Sequence, residues 1–349
     1  MKELVTLTRA QGANQALIDG TVQPEGYRLV FADEPVLVKG FRKMVRNLEY
    51  DVAEMAVTTY LTAKEHGVAF TALPIFLVRD FHHGATQVVR DGPIRQPTDL
   101  AGRQVGVNRG YTVTTGVWGR AALAEAGLDL RSVTWVLSGD EHVASYVPPA
   151  NVVPAPEGRS LEELLLAGDV AAVVGAAIKH PDVVPLIPQP EEAGLASLRR
   201  TGVFPINHLV VVKDSVLAAE PDLPTALLEA FTLAKRRYVA QLRGGLAETA
   251  QDRLLRRVMD ATGRDPLPYG LQTPRSVLPP LRSGPVLRGG PENDNTVSQG
   301  SSSRASERLA TNSVTLETLM GHAVAQGILT QPVALEKVFV PASVTWREE

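Results

Sequence analysis

The chain has 349 residues, room for about two domains, and its 44% hydrophobic and 21% charged residues exclude a mostly disordered protein. Lys plus Arg (35) nearly cancels Asp plus Glu (38), which argues against a general nucleic-acid binder, because such a protein needs a basic surface. Cysteine is absent, which excludes disulfides, thiolate metal sites, iron–sulfur clusters and cysteine nucleophiles.

In chain order, residues 3–8 alternate as a strand, and 10–19 carry a short helical turn. Glu3, Thr6, Thr8 and Arg9 interrupt any apolar run of secretory type, and no stretch approaches the ~20 apolar residues of a membrane span. The expected location is therefore the cytoplasm. Residues 27–31 read as a strand, 35–47 as a helix, 50–57 as a strand, 59–66 as a helix and 70–78 as a strand. A second run of elements follows: strand 104–107, helix 112–126, strand 133–139, helix 160–169 and strand 170–175. In this run Ser160 and Glu163 stand at capping-box spacing. A strand at 207–214 and helices at 224–242 and 247–262 come next.

Residues 274–310 are dense in Pro, Gly, Ser and Arg and read as a disordered insertion, before a helix at 315–328. Alternating strands and helices predict an α/β protein with parallel-rich sheets. The order of elements predicts two lobes: residues 1–87 with 204–349 form the first, and 88–203 the second. Ligands of such folds sit in the cleft, at the C-terminal ends of strands.

Several residues carry chemistry in this layout. Arg79, His82 and His83 follow a strand closely. Arg79 offers a planar fork for a carboxylate, and histidine exchanges protons near neutral pH. The plain alternative is a basic surface turn. Glu54 lies in the apolar run Val52–Met55, where a carboxylate is rare unless paired or functional. A raised carboxyl pKa would make it a proton donor; pairing with an arginine or capping the next helix is the alternative.

Thr58 and Thr59 stand at one helix start, and Tyr111, Thr112 and Thr114 at another. Helix starts bind carboxylates through free N–H groups, although threonines there are commonly plain N-caps. Two such starts facing a cleft, assisted by Arg109, would form a dicarboxylate site. His208 opens a strand at the second crossing between lobes, where it could approach His83; His142 is a weaker candidate. No histidines have helical metal-ligand spacing, and neither a nucleotide-binding glycine loop nor a serine-nucleophile elbow is present.

The segments LIDGTVQPEG (17–26), YDVAEMAVTTYL (50–61), LPIFLVRDFHHG (73–84), DLAGRQVGV (99–107), YTVTTGVWGR (111–120) and RRTGVFPINHLVVV (199–212) resemble the 4,5-dihydroxyphthalate decarboxylase family. The resemblance runs in order through almost the whole chain. DPLPYGL (265–271) and TLETLMGHAVAQGI (315–328) look like adjacent family segments, with 274–310 inserted between them. His82 stands where the family usually has arginine.

The resemblance implies a type II periplasmic-binding-protein-like fold and a carboxy-lyase acting on an aromatic dicarboxylate without metal or cofactor. It implies His83, Glu54 and His208 as catalytic residues. Arg79, His82, Thr58, Thr59, Arg109, Tyr111, Thr112 and Thr114 would hold the substrate. The expected partner is a small anionic aromatic molecule, with neither nucleic acid nor membrane; self-association is left open. The rival reading is the solute-binding protein of an importer for an anionic organic solute. A pyrimidine-precursor synthase is disfavoured, since that branch carries a cysteine-rich iron motif.

Overall fold

The computed structural model describes residues 1–271 and 310–347. The predicted insertion, 274–310, lies outside the described residues apart from Ala310.

The first sheet has five strands: β1 (Lys2–Leu7), β2 (Tyr27–Phe31), β3 (Val52–Ala56), β4 (Phe70–Arg79) and β11 (Ile206–Lys213), in the order β2-β1-β3-β11-β4. β1 runs parallel to β2 and β3, whereas β11 is antiparallel to β3 and β4. The second sheet comprises β5 (Thr86–Val89), β6 (Gln104–Val107), β7 (Thr134–Leu137), β8 (Val152–Pro154), β9 (Ala172–Val174) and β10 (Val183–Pro185). Their order is β10-β5-β9-β6-β7-β8. The chain thus leaves the first sheet after Arg79, builds the second, and returns at Ile206. This is the expected two-lobed α/β architecture.

Local chemistry accounts for most boundaries. β3 is buried along its whole length, as a central strand covered on both faces must be. Ser160 and Glu163 form the anticipated reciprocal cap of the helix Leu161–Ala167, which stops at Gly168 in the left-handed conformation. The helix following β3 spans Val57–Glu65, so Thr58 and Thr59 belong to its first turn and do not precede it. The strands β5, β8 and β10 are only three or four residues long, too short for a periodic signal. The helix Pro190–Thr201, absent from the sequence reading, leads into the second crossing.

Among the described residues, no helix is long and apolar enough to cross a membrane.

Candidate active site in the cleft

Glu54 and His208 are brought together by the register of the first sheet. Val210 pairs with Glu54 and His208 with Ala56, so Glu54 and His208 are diagonal neighbours on one face. The His208 Nδ1–H donates to Glu54 Oε1 at 2.6 Å. The other carboxylate oxygen accepts from Thr8 Oγ1 at 2.7 Å and from the Arg9 backbone N–H at 3.3 Å. Asn14 secures this corner by donating to Thr8 Oγ1 and to the Arg9 carbonyl, both at 3.0 Å.

Glu54 is 1% exposed, whereas the His208 side chain keeps 17% of its surface. Burial pushes the Glu54 carboxyl up, but the hydrogen bond and charge of His208, with help from Thr8 and Arg9, outweigh it and hold the group below its ordinary value. Glu54 is therefore an ionised acceptor. The expectation of a raised pKa and a proton-donating Glu54 is corrected on this point. Its bond fixes the imidazole tautomer and leaves Nε2 as the atom free to exchange a proton.

Phe41 packs edge-on against both the His208 ring (5.2 Å between centroids) and the His142 ring (6.3 Å). Burial drives His142 down to about 4, and the cations of Arg42 and Arg109 add to this, so the ring is neutral at pH 7. Its Nδ1 lies 3.4 Å from Thr59 Oγ1. Arg42 and Arg46 are engaged by Asp140.

Arg109 adopts a left-handed backbone (φ 68°), which is uncommon outside glycine and is stabilised where surrounding structure over-determines it. The Arg109 backbone N–H donates to Ser138 Oγ at 2.8 Å, while no partner for its guanidinium is found among the described residues. The same holds for the exposed Arg9 guanidinium. Arg9 acts electrostatically on Glu54 and lines a pocket with Gln11, Tyr238 and Gln251, whereas the Arg109 cation acts on His142. Arg9, Thr8, Asn14 and Phe41 were missed in the sequence. The available signal was the position of Thr8 and Arg9 just past the C-terminal end of a strand.

Other expected site residues are used elsewhere. Arg79 is 1% exposed. Its guanidinium donates to the Phe204 carbonyl at 2.8 Å and to Asn312 Oδ1, tying the second crossing to the helix Asn312–Ala325. Burial lowers it to about 9, which leaves it cationic at neutral pH. The expected carboxylate fork is thus a structural strut.

The two helix starts do not face an open cleft; they meet each other. Thr58 Oγ1 donates to the Thr112 carbonyl (2.5 Å), and the Thr58 backbone N–H donates to Thr114 Oγ1 (3.0 Å). Because the Thr58 proton is spent, the Thr114 hydroxyl donates across the 2.8 Å contact between the two oxygens. All three threonines are buried, and the expected dicarboxylate site at these helix starts is replaced by a contact between the lobes.

A carboxylate of the protein's own occupies the second start. Glu141 accepts from the backbone N–H groups of Tyr111 and Thr112 and, at 2.6 Å, from Thr112 Oγ1. The Tyr111 ring is covered by the Arg120 guanidinium at 3.9 Å, so its expected substrate contact is also corrected. His82 and His83 are not brought to the Glu54–His208 pair. They line a separate cavity with Phe81, Trp118 and Glu125. No group of three or more His, Asp or Glu among the described residues is placed to hold a metal ion.

Comparison with known proteins decides the family. The chain is 32% identical over 235 residues to a 4,5-dihydroxyphthalate decarboxylase of Comamonas testosteroni, covering 63% of this chain and 70% of that protein. The chain belongs to the 4,5-dihydroxyphthalate decarboxylase family. A second member, the 4,5-dihydroxyphthalate decarboxylase of Pseudomonas putida, is also 32% identical, over 193 residues, 51% of this chain and 74% of that protein. No protein-family model matches the sequence. Among solved structures, the periplasmic aliphatic sulphonate binding protein SsuA from Escherichia coli is similar with a TM-score of 0.45 and 14% identity. That match covers 74% of this chain and 79% of SsuA. This member of the family carries a His208–Glu54 pair between β11 and β3.

Proposed function

We propose that the cleft removes one carboxyl group from an aromatic 1,2-dicarboxylate carrying a hydroxyl para to that carboxyl, with 4,5-dihydroxyphthalate as the substrate and protocatechuate and carbon dioxide as products. The observation that carries this reading is the 2.6 Å bond between His208 and the buried Glu54 carboxylate, which readies one imidazole for proton delivery. Direct loss of carbon dioxide from an aryl carboxylate would leave a costly ring anion. Protonating the carboxylate-bearing carbon first avoids it.

In the protonated state, His208 has Glu54 as its counter-ion and gives its Nε2 proton to that ring carbon. The para hydroxyl supplies the electron pair, becoming a keto group as its proton leaves. The ring-to-carboxylate bond then breaks, carbon dioxide departs, and its electron pair restores the aromatic ring as the oxygen regains a proton. The net reaction consumes one proton per dicarboxylate. Arg9 and Arg109 hold the two carboxylates by charge-assisted hydrogen bonds, and neutral His142 accepts a hydrogen bond from a ring hydroxyl.

The test is incubation of the purified protein with 4,5-dihydroxyphthalate, following carbon dioxide and protocatechuate together. Equimolar release of both, lost in His208→Gln, is expected. Tight binding with no carbon dioxide would instead assign the cleft to solute capture.

A further inference from the structure

The pair His82–His83 lies outside the cleft chemistry and lines a cavity of about 240 Å³. The cavity sits where both crossings between the lobes pass: Phe81, His82 and His83 belong to the first, Pro205 to the second. Neither Glu54 nor His208 is among its lining residues. The helix Thr114–Glu125 meets Thr58 at its first residue, whereas the lining residues Trp118 and Glu125 lie roughly 6–16 Å further along its axis.

Its chemistry is specific. Aromatic surface comes from Phe81 and Trp118, and the indole is fixed by donation from Nε1 to the Ile206 carbonyl at 3.1 Å. His82 is only 6% exposed, and the Nδ1 atoms of His82 and His83 are enclosed by protein, which leaves Nε2 as the ring nitrogen a ligand in the cavity could reach. Burial lowers both imidazoles, His82 to about 3, so at neutral pH each is an uncharged ring able to accept one hydrogen bond. The Glu125 carboxylate in the wall also accepts, and its charge is balanced by Arg200 at 3.3 Å. An apolar cavity of about 150 Å³ already holds a benzene ring, so this one has space for a single ring with a hydroxyl.

We infer that the hinge cavity is a second binding site, for a small uncharged hydroxylated aromatic molecule whose O–H groups donate to His82 and His83. Its ligand class differs from the one proposed for the cleft: arginines would hold anions there, whereas no Lys or Arg is among the residues lining this cavity. The inference does not depend on the decarboxylase reading, since its test involves no turnover.

The experiment is calorimetric titration of the full-length protein with phenol and, separately, with benzoate. One saturable phenol site is expected, from which benzoate displaces phenol at least about tenfold more weakly than phenol itself binds; benzoate held by the cleft leaves that displacement unaffected. Ala122→Leu fills the cavity from the helix side without touching either histidine and should abolish phenol binding. His82→Phe keeps ring volume but removes the acceptor and should weaken it by about tenfold, the value of one hydrogen bond. Circular dichroism establishes that each variant is folded; if one is not, the other decides. Absence of a saturable phenol site in the wild type overturns the inference. So does unchanged phenol affinity in a folded variant, or displacement of phenol by benzoate as tight as phenol's own binding.

Discussion

The sharpest consequence of the cleft geometry concerns His208→Gln. Glutamine can still donate a hydrogen bond toward Glu54 Oε1, but it carries no titratable proton. A positioned general acid contributes about 10²–10⁴-fold to rate, so turnover should fall by that factor. With the substrate carboxylates on Arg9 and Arg109, as proposed, the dissociation constant should change by less than about threefold. Stability separates His208→Ala from His208→Gln. Unit charges about 4 Å apart interact by about 4 kcal/mol at an effective dielectric of 20, and breaking a buried pair from one side costs about 3–5 kcal/mol.

Glu54 is 1% exposed, so His208→Ala should lose about that amount, leaving the carboxylate only Thr8 and Arg9. His208→Gln retains a neutral hydrogen bond worth about 1 kcal/mol and should lose correspondingly less. The assays are initial rates of carbon dioxide release, equilibrium dialysis of substrate and urea unfolding of both variants. Glu54→Gln in the His208→Gln background should add little further rate loss, because the two act as a unit. Full turnover in His208→Gln, or rate losses that simply multiply in the double variant, would refute the assignment.

Three further outcomes follow from particular contacts. Arg109→Gly should relieve the left-handed backbone, raising stability by a few tenths to about 1 kcal/mol, while weakening substrate binding by about 1.5–3 kcal/mol; urea unfolding and dialysis read the opposed signs. Arg79→Ala should lower stability by about 3–5 kcal/mol, from orphaned acceptors and a cavity, and leave substrate affinity of the folded protein unchanged. Glu54 has a folded-state pKa below its unfolded value, so its contribution is complete above the unfolded carboxyl pKa and is lost as pH falls through the folded one. The stability gap between wild type and Glu54→Gln should therefore be full at about pH 5 and shrink toward about pH 3, as unfolding curves at both values will show.

Local order in this chain is largely a matter of sequence. Alternation placed β1 and β2, the Ser160–Glu163 spacing placed a helix start, and the absence of cysteine removed whole classes of chemistry, because each is a property of neighbouring residues. Glu54 also stood out, since a lone carboxylate in an apolar strand must answer for its burial. What it answers to is 154 residues away, and only the antiparallel register of β11 on β3 makes His208 its partner.

Arg79 shows the converse. Beside two histidines after a strand it has the pattern of an anion anchor, yet tertiary packing turns it inward onto Phe204 and Asn312, where its fork satisfies a crossing and a distant helix. The threonines at the two helix starts likewise have the composition of a carboxylate site, but lobe contact makes them partners of one another. A side chain's type and its place on an element are written locally. Which of its possible partners it meets is set by how the two sheets are folded against each other, because hydrogen bonds and ion pairs act over a few ångströms of space and are indifferent to distance along the chain.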